Sequence, residues 1–313
     1  MRTRLVLVHA LTPLHAGTGQ AAGAIDLPIA RERPTHIPIV PGSSIKGALR
    51  AREEDENWRK VIYGPETELA SEHGGAVQFS DVHTVLLPVR SLAGTFAWVT
   101  SRYLLSRFAR DAQEADLALK PAPAAARMDA CVLVQGSVLK VPLDQTQRVI
   151  LEDLDLKPAP DASPEAATLA AYAETLGQAL FPDPPEATAE QKAANAAAQK
   201  DLSARLCLVH DDTMSYLLEA ATEVSARIRL DPKKKTVARG ALWTEEALPT
   251  ETVLAGLAVA SAVERDNKKY MPADLFAQIG KAAKGLVQLG GKATVGRGNC
   301  RVLIVPAAAG GTE

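Results

Sequence analysis

One acid interrupts an apolar run in "GAIDLPIARER", residues 23–33. Asp26 stands between Ile25 and Leu27, and the approach to it, "HAGTGQAAG", is mostly small residues. A lone carboxylate on such a loop is either a solvated turn residue or a reagent that takes up a proton or holds a hydrated cation. A second stretch, "LGGKATVGRGNC" from Leu289, places Gly290, Gly291, Gly296 and Gly298 within nine residues, with Lys292 and Arg297 among them. Glycine lets backbone amides approach a phosphate closely, and the two cations supply charge. The same pattern also fits a helix C-cap followed by a turn. A third stretch, "IPIVPGSSIKGALRAR", runs from an extended, Pro-flanked entry into a helix with Lys46, Arg50 and Arg52 in its first turns. Free N–H groups and the helix dipole favour anions there. "HAGTGQAAG" lacks the Gly-Lys-Ser/Thr ending of a Walker A loop, which argues against an NTPase.

The elements that must position these residues follow from pattern. Residues 3–12 read as a first strand rather than a secretory leader, followed by a loop of about thirty residues, a length usually functional or disordered. A helix then opens with Ser43 or Ser44 as N-cap. Residues 74–90 read as strand with one break. Phe96, Val99, Tyr103, Leu104 and Phe108 recur at helical spacing, and 130–144 reads as a strand or hairpin. Residues 157–200, rich in Ala, Pro and Glu, read as an inserted helical or partly ordered excursion from the surface, not a core element. Two alternating strands flank a basic tip within 222–248. Helices are expected over 249–266 and 272–289, and 301–305 is a closing strand. Strands and helices mix without a strict repeat, so the fold class is α+β.

The 313 residues suffice for a sizeable core. Net charge is −2, which is not the footprint of a strongly basic nucleic-acid binder. Its distribution is uneven. Residues 152–201 hold ten acids against three basic residues, a net of −7, so the remainder carries +5. Six basic residues and one acid fall within 227–239, and eight basic residues and two acids within 265–301. An acidic insertion therefore masks a basic body. Cys131, Cys207 and Cys300 are sparse and follow no metal spacing, which fits a reducing cytoplasm. The longest apolar run, 253–263, is too short to cross a bilayer.

Four segments carry a family resemblance: "LTPLHAGTG…IDLPIARERPTHIPIVPGSSIKGALR", "LLPVRSLAGTFAWVTSRYLLSRF", "RIRLDPKKKTVARGALWTEEALP" and "GGKATVGRGNCRV". Over roughly 1–110 and 205–305 the chain resembles the RAMP superfamily of CRISPR–Cas proteins. Within it, the chain is similar to the backbone subunits of type III-B (Cmr) effector complexes. The resemblance implies a single domain: an RRM-like (ferredoxin-like) palm with fingers insertions and a projecting β-hairpin thumb at 222–248. It also implies head-to-tail stacking of copies along a CRISPR guide RNA with other Cmr subunits, and cleavage of single-stranded target RNA beside each thumb with a divalent metal, Mg²⁺ or Mn²⁺. The loop 15–42 becomes the catalytic loop, with Asp26 as catalytic acid and possible metal ligand and His15 as a group that contacts RNA or assists acid–base chemistry. Glu245 or Glu246, after Trp243, would approach the cleaved phosphate from a neighbouring subunit. Ser43, Lys46 and Arg50 would meet guide phosphates. So would Gly291, Lys292, Gly296 and Arg297 of the loop 289–300, and Lys233, Lys234 and Lys235 would steer RNA. No RNP-like aromatic motif is present, so recognition should be of backbone and shape. A non-catalytic RNA-coating scaffold and a stand-alone guide-processing nuclease are the alternatives. One aspartate cannot build a two-metal site.

Overall fold

A strand covered on both faces reads as a continuous apolar run, and such strands set the frame here. The computed structural model describes residues 1–19, 25–66, 74–230 and 237–306. The chain begins with β1 (Arg2–Ala10), β2 (Ile39–Val40), α1 (Gly42–Arg52), α2 (Glu56–Tyr63), β3 (Val77–Phe79) and β4 (Val82–Arg90). β5 (Phe96–Ser101), α3 (Arg102–Glu114), β6 (Ala130–Leu133), β7 (Val141–Leu143), β8 (Thr146–Leu151) and β9 (Leu154–Pro158) follow. Next are α4 (Pro164–Leu180), α5 (Ala189–Arg205), β10 (Leu206–Val209), α6 (Asp211–Ala220), β11 (Glu223–Leu230) and β12 (Val237–Ala247). β13 (Val253–Ala260), β14 (Val263–Arg265), β15 (Lys268–Tyr270), α7 (Pro272–Ala282), β16 (Val287–Gln288) and β17 (Asn299–Ile304) complete the order.

Among the described residues, thirteen strands join one sheet in the order β16-β17-β1-β13-β4-β5-β10-β6-β9-β8-β7, with β2 on β4 and β3 on β13. The mixture of elements is the α+β class expected. One core cluster packs α1, α2, α6 and α7 on one face, through residues such as Val6, Val8, Ile45, Leu217 and Ile279. A second packs α3 and α4 on the other, through Leu5, Leu7, Phe108, Leu169 and Tyr172. β11 and β12 stand apart as an antiparallel hairpin, from Glu223 opposite Ala247 to Ile228 opposite Leu242. It falls where alternation placed it. Lys233, Lys234 and Lys235 lie outside the described residues. No helix among the described residues is long and apolar enough to cross a membrane.

Four expectations are corrected. The helix expected over 249–266 is the strand β13, paired with β1 on one side and β4 on the other. Val253, Leu254 and Ala255 are fully buried, and a run apolar at every position carries no period to distinguish strand from helix. Gly256 is required by close approach, since a Cβ there would lie 2.6 Å from the Asp81 carbonyl oxygen. Phe96 and Val99 belong to β5, and the helix starts only after Ser101, whose hydroxyl accepts from Leu104 N. Neither Ser43 nor Ser44 caps α1. The N-cap is Pro41, and Asp81 Oδ1 accepts from Gly42 N at 2.8 Å, replacing a local cap with one from across the chain.

The fourth correction concerns 157–200. It is helical, but α4 is core: Leu169, Tyr172, Leu176 and Leu180 are fully buried, and the Tyr172 hydroxyl donates to the Lys120 carbonyl at 2.7 Å. Alanine-rich composition concealed an apolar stripe that closes one face of the sheet, while α5 buries only Leu202. Tyr172→Ala should therefore destabilise the isolated chain by about 3–5 kcal/mol, the range for losing a buried aromatic ring, read from urea unfolding. A loss below about 0.5 kcal/mol, the scale of a surface change, would restore the surface reading.

Candidate active site

The long loop after β1 is fastened to the base of the hairpin by backbone hydrogen bonds. Leu14 and Leu248 exchange two of them at 2.9 Å. Leu27 N donates to the Thr244 carbonyl at 3.0 Å, and Glu246 N donates to the Leu27 carbonyl at 3.0 Å. Within the loop, Ala30 N donates to Ala16 O at 2.7 Å and Ile39 N to Ala30 O at 2.9 Å. Buried backbone groups must be paired, and here the loop and the strand satisfy each other.

This fixes Asp26. Its side chain is exposed, but Oδ2 accepts from Thr244 N at 2.8 Å and from Thr244 Oγ1 at 3.0 Å, while Asp26 N donates back to Thr244 Oγ1 at 3.0 Å. Oδ1 has no partner among the described residues. The backbone and hydroxyl donors of Thr244 hold the carboxyl below the usual aspartate range. Asp26 is thus a fixed, ionised carboxylate with one oxygen facing solvent. Thr244 is what fixes it, and a threonine in an alternating strand carries no sequence signal of that role.

His15 is buried, and its Nδ1 lies 2.6 Å from the Glu246 carbonyl. A carbonyl only accepts, so Nδ1 carries the proton and Nε2 of the neutral ring is the acceptor. Gly17 leaves room for that edge: a Cβ there would lie 2.7 Å from Nε2. The Gly-rich loop packs on the same backbone. Gly291 N donates to His15 O and Gly298 N to Pro13 O, both at 2.9 Å. Gly290 has a φ of 70°, and a Cβ on it would lie 2.3 Å from His15 O. The loop braces residues 13–16 from behind.

The charged candidates are largely turned inward. Glu245 is 2% exposed. Lys292 Nζ lies 2.8 Å and Trp243 Nε1 2.7 Å from its Oε1, and Arg227 Nε lies 3.4 Å from Oε2. Burial alone would raise its pKa, but these donors outweigh it and hold it at about 2. Glu246 is 3% exposed and bound to Arg31, Ile29 and Thr222. Both glutamates are buried charges paired within the chain. Arg297 is 5% exposed and directed at Ser225 Oγ. Arg50 donates to the carbonyls of Gly64 and Pro65 and to Glu66, and Arg52 caps the end of α7 through three carbonyls. Ser43 is exposed in the first turn of α1. Gly296, with a φ of 78°, faces open space. Lys46, half-buried on α1, has no ion-pair partner among the described residues. Arg107 grips Glu32 with two bonds of 2.6 and 2.7 Å, tying α3 to the loop. An open groove of about 530 Å³ runs beside the loop, lined by Ile25, Pro28, Ile29, Arg31, Arg33 and His36 among others. No group of three or more His, Cys, Asp or Glu among the described residues is placed to hold a metal ion.

The profile of the RAMP superfamily matches residues 7–301. The CRISPR system Cmr endoribonuclease Cmr4 of Pyrococcus furiosus is 31% identical over 309 residues, 97% of this chain and 96% of that protein. The crystal structure of oligomeric Cmr4 from P. furiosus aligns with a TM-score of 0.69 at 24% identity, covering 97% of this chain and 100% of that one. A chain of the type III-B Cmr-beta complex bound to cognate target RNA aligns with a TM-score of 0.66 at 18% identity, covering 97% of both. These two structures share the fold.

Thr244→Val removes one of the two donors to Asp26 and keeps the backbone one. The Asp26 pKa should rise toward the ordinary aspartate value, followed by carboxyl ¹³C NMR against pH. An unmoved titration would mean that the hydroxyl does not hold the carboxylate.

Proposed function

The chain belongs to the RAMP superfamily, and from that premise we propose that it is the guide-RNA-binding backbone subunit of a type III-B Cmr ribonucleoprotein, cutting complementary target RNA at regular intervals. The likeness to an endoribonuclease over 97% of the chain carries this reading. Its partners are guide RNA, target RNA, further copies of itself and other Cmr subunits. The sheet around β1, β13 and β4 is read as the RRM-like palm and the β11–β12 hairpin as the thumb.

Asp26 is proposed as the catalytic group. Strand scission by the ribose 2′-OH needs that hydroxyl oriented in line with the scissile phosphate and its proton drawn away. Asp26 Oδ1, without a partner among the described residues, would accept from the hydroxyl, and the Thr244 bonds favour the ionised carboxylate further. His15, with Nδ1–H engaged by Glu246 O, would offer Nε2 as a second acceptor. Among the described residues, the divalent ion expected from the resemblance finds a single exposed carboxylate at Asp26, not a multi-ligand site. These residues do not by themselves build its site, and no step is routed through it. Guide phosphates would meet Lys46 on α1 and the open side of Gly296, and Lys233–Lys235, which follow β11 in the sequence, would add positive charge.

Asp26→Ala should leave guide and target binding intact and lower cleavage about 10²-fold or more, the scale for a positioned acid–base group. All regularly spaced cuts should be lost together, read by a time course with end-labelled target RNA on assembled complex. Wild-type rates would favour the scaffold alternative. Lys46→Ala should weaken guide binding and flatten its salt dependence by about one unit in the log–log slope. Arg50→Ala, whose guanidinium is engaged internally, should leave that slope unchanged and lower stability instead. Equal slopes for wild type and Lys46→Ala would place α1 away from the guide.

A further inference from the structure

Glu246 bonds to the cleavage loop through every polar group it has. Its N–H donates to Leu27 O at 3.0 Å, and its carbonyl accepts from His15 Nδ1 at 2.6 Å. Oε2 accepts from Ile29 N at 3.1 Å, and Oε1 accepts from Arg31 Nη2 at 2.6 Å and from Thr222 Oγ1 at 3.0 Å. The side chain is 3% exposed. A carboxylate so buried is tolerated only when it is paired and hydrogen-bonded, and its partners converge from both sides of the site. Arg31 is anchored in turn to the carbonyls of Leu218, near the end of α6, and His36. Thr222 immediately precedes β11.

Strand periodicity adds a second point. Thr244 and Glu246 are two residues apart on β12 and so project from one face. Thr244 takes Asp26 and Glu246 takes Ile29 and Arg31, while the Leu27 backbone pairs between them. The segment 26–31 is thus clamped to the hairpin at two successive positions of a single strand. The Glu246 side chain adds a hold at Ile29 and Arg31 to the one that Thr244 makes at Asp26.

We infer that Glu246 is a positioning residue that makes the hairpin and the Asp26 loop one rigid unit, so that the seat of the hairpin on RNA sets where the Asp26 carboxylate lies. This rests on the reading of Asp26 as the catalytic group. It replaces a direct part for Glu246 at the phosphate with a part played through Ile29, Arg31 and His15.

The test compares Glu246→Ala, Glu246→Gln and Asp26→Ala with wild type in the assembled complex. Two readouts are taken, single-turnover cleavage at saturating target and amide hydrogen exchange over 25–31. Glu246→Ala should lower the cleavage rate about tenfold to a hundredfold, the scale of a displacement near 1 Å, with target affinity within about twofold. Exchange over 25–31 should rise while β1 and β13 keep their protection. Glu246→Gln retains an acceptor for Ile29 N and should fall between wild type and alanine on both readouts. Unchanged exchange over 25–31 in both Glu246 variants would overturn the inference. So would a cleavage loss fully explained by weaker target binding. If Glu246→Ala does not fold, the glutamine variant decides on the same two criteria. Full cleavage by Asp26→Ala would instead remove the assignment of Asp26, and the exchange data would still judge the clamp.

Discussion

The edge of β12 that faces away from β11 needs partners, and the loop carrying Asp26 supplies them. An open strand edge exposes N–H and C=O groups that must find acceptors and donors somewhere. Here Leu248 pairs with Leu14, and Thr244 and Glu246 pair with Leu27. One pairing solves two problems at once: it closes the hairpin base, and it holds the loop at Leu14 and Leu27. Whatever chemistry Asp26 performs depends on this constraint, because among the described residues its side chain hydrogen-bonds to Thr244 alone.

The brace from the Gly-rich loop follows from the same path. Residues 13–16 run between the hairpin base and the 289–299 loop, and both sides hydrogen-bond to them. That contact demands glycine at position 290 for steric reasons, whether or not a phosphate is bound. It also accounts for the inward turn of the loop's cations. Lys292 neutralises Glu245, and Arg297 is nearly buried against Ser225. A basic body counted from sequence therefore overstates the charge available to RNA, since several of its cations hold the protein together.

The hairpin was legible because both strands alternate and turn residues separate them. Asp26 was legible as a residue out of place in an apolar run, although its fixed geometry was not: Thr244 lies 218 positions away, and no local pattern connects the two. β13 was misread as helix because "VLAGLAVA" is apolar or glycine throughout, and only its neighbours β1 and β4 decide its conformation. α4 reads as surface from sequence because alanine supplies bulk without contrast, yet Leu169, Tyr172 and Leu176 fall on one stripe. The cap of α1 escaped because Asp81 reaches it from a different part of the chain. In each case the missing information was tertiary.

The state in which Asp26 is held bears on what kind of help it gives. Donors that lower a carboxyl pKa weaken it as a base, because the proton it would accept is bound less tightly. They also guarantee that the oxygen is an acceptor at any pH near neutrality. On the proposed reading of Asp26 such a site would gain by direction: Oδ2 is held by Thr244, and a ribose hydroxyl meeting Oδ1 would be oriented more than deprotonated. Orientation of that kind is only as good as the frame behind it. The frame extends through Thr244 and Glu246 into the hairpin, and through Arg31 and Glu32 into α6 and α3. An exposed single carboxylate keeps a defined place here because half-buried Thr244 and Arg31 are themselves tied to buried Glu246 and Ile29.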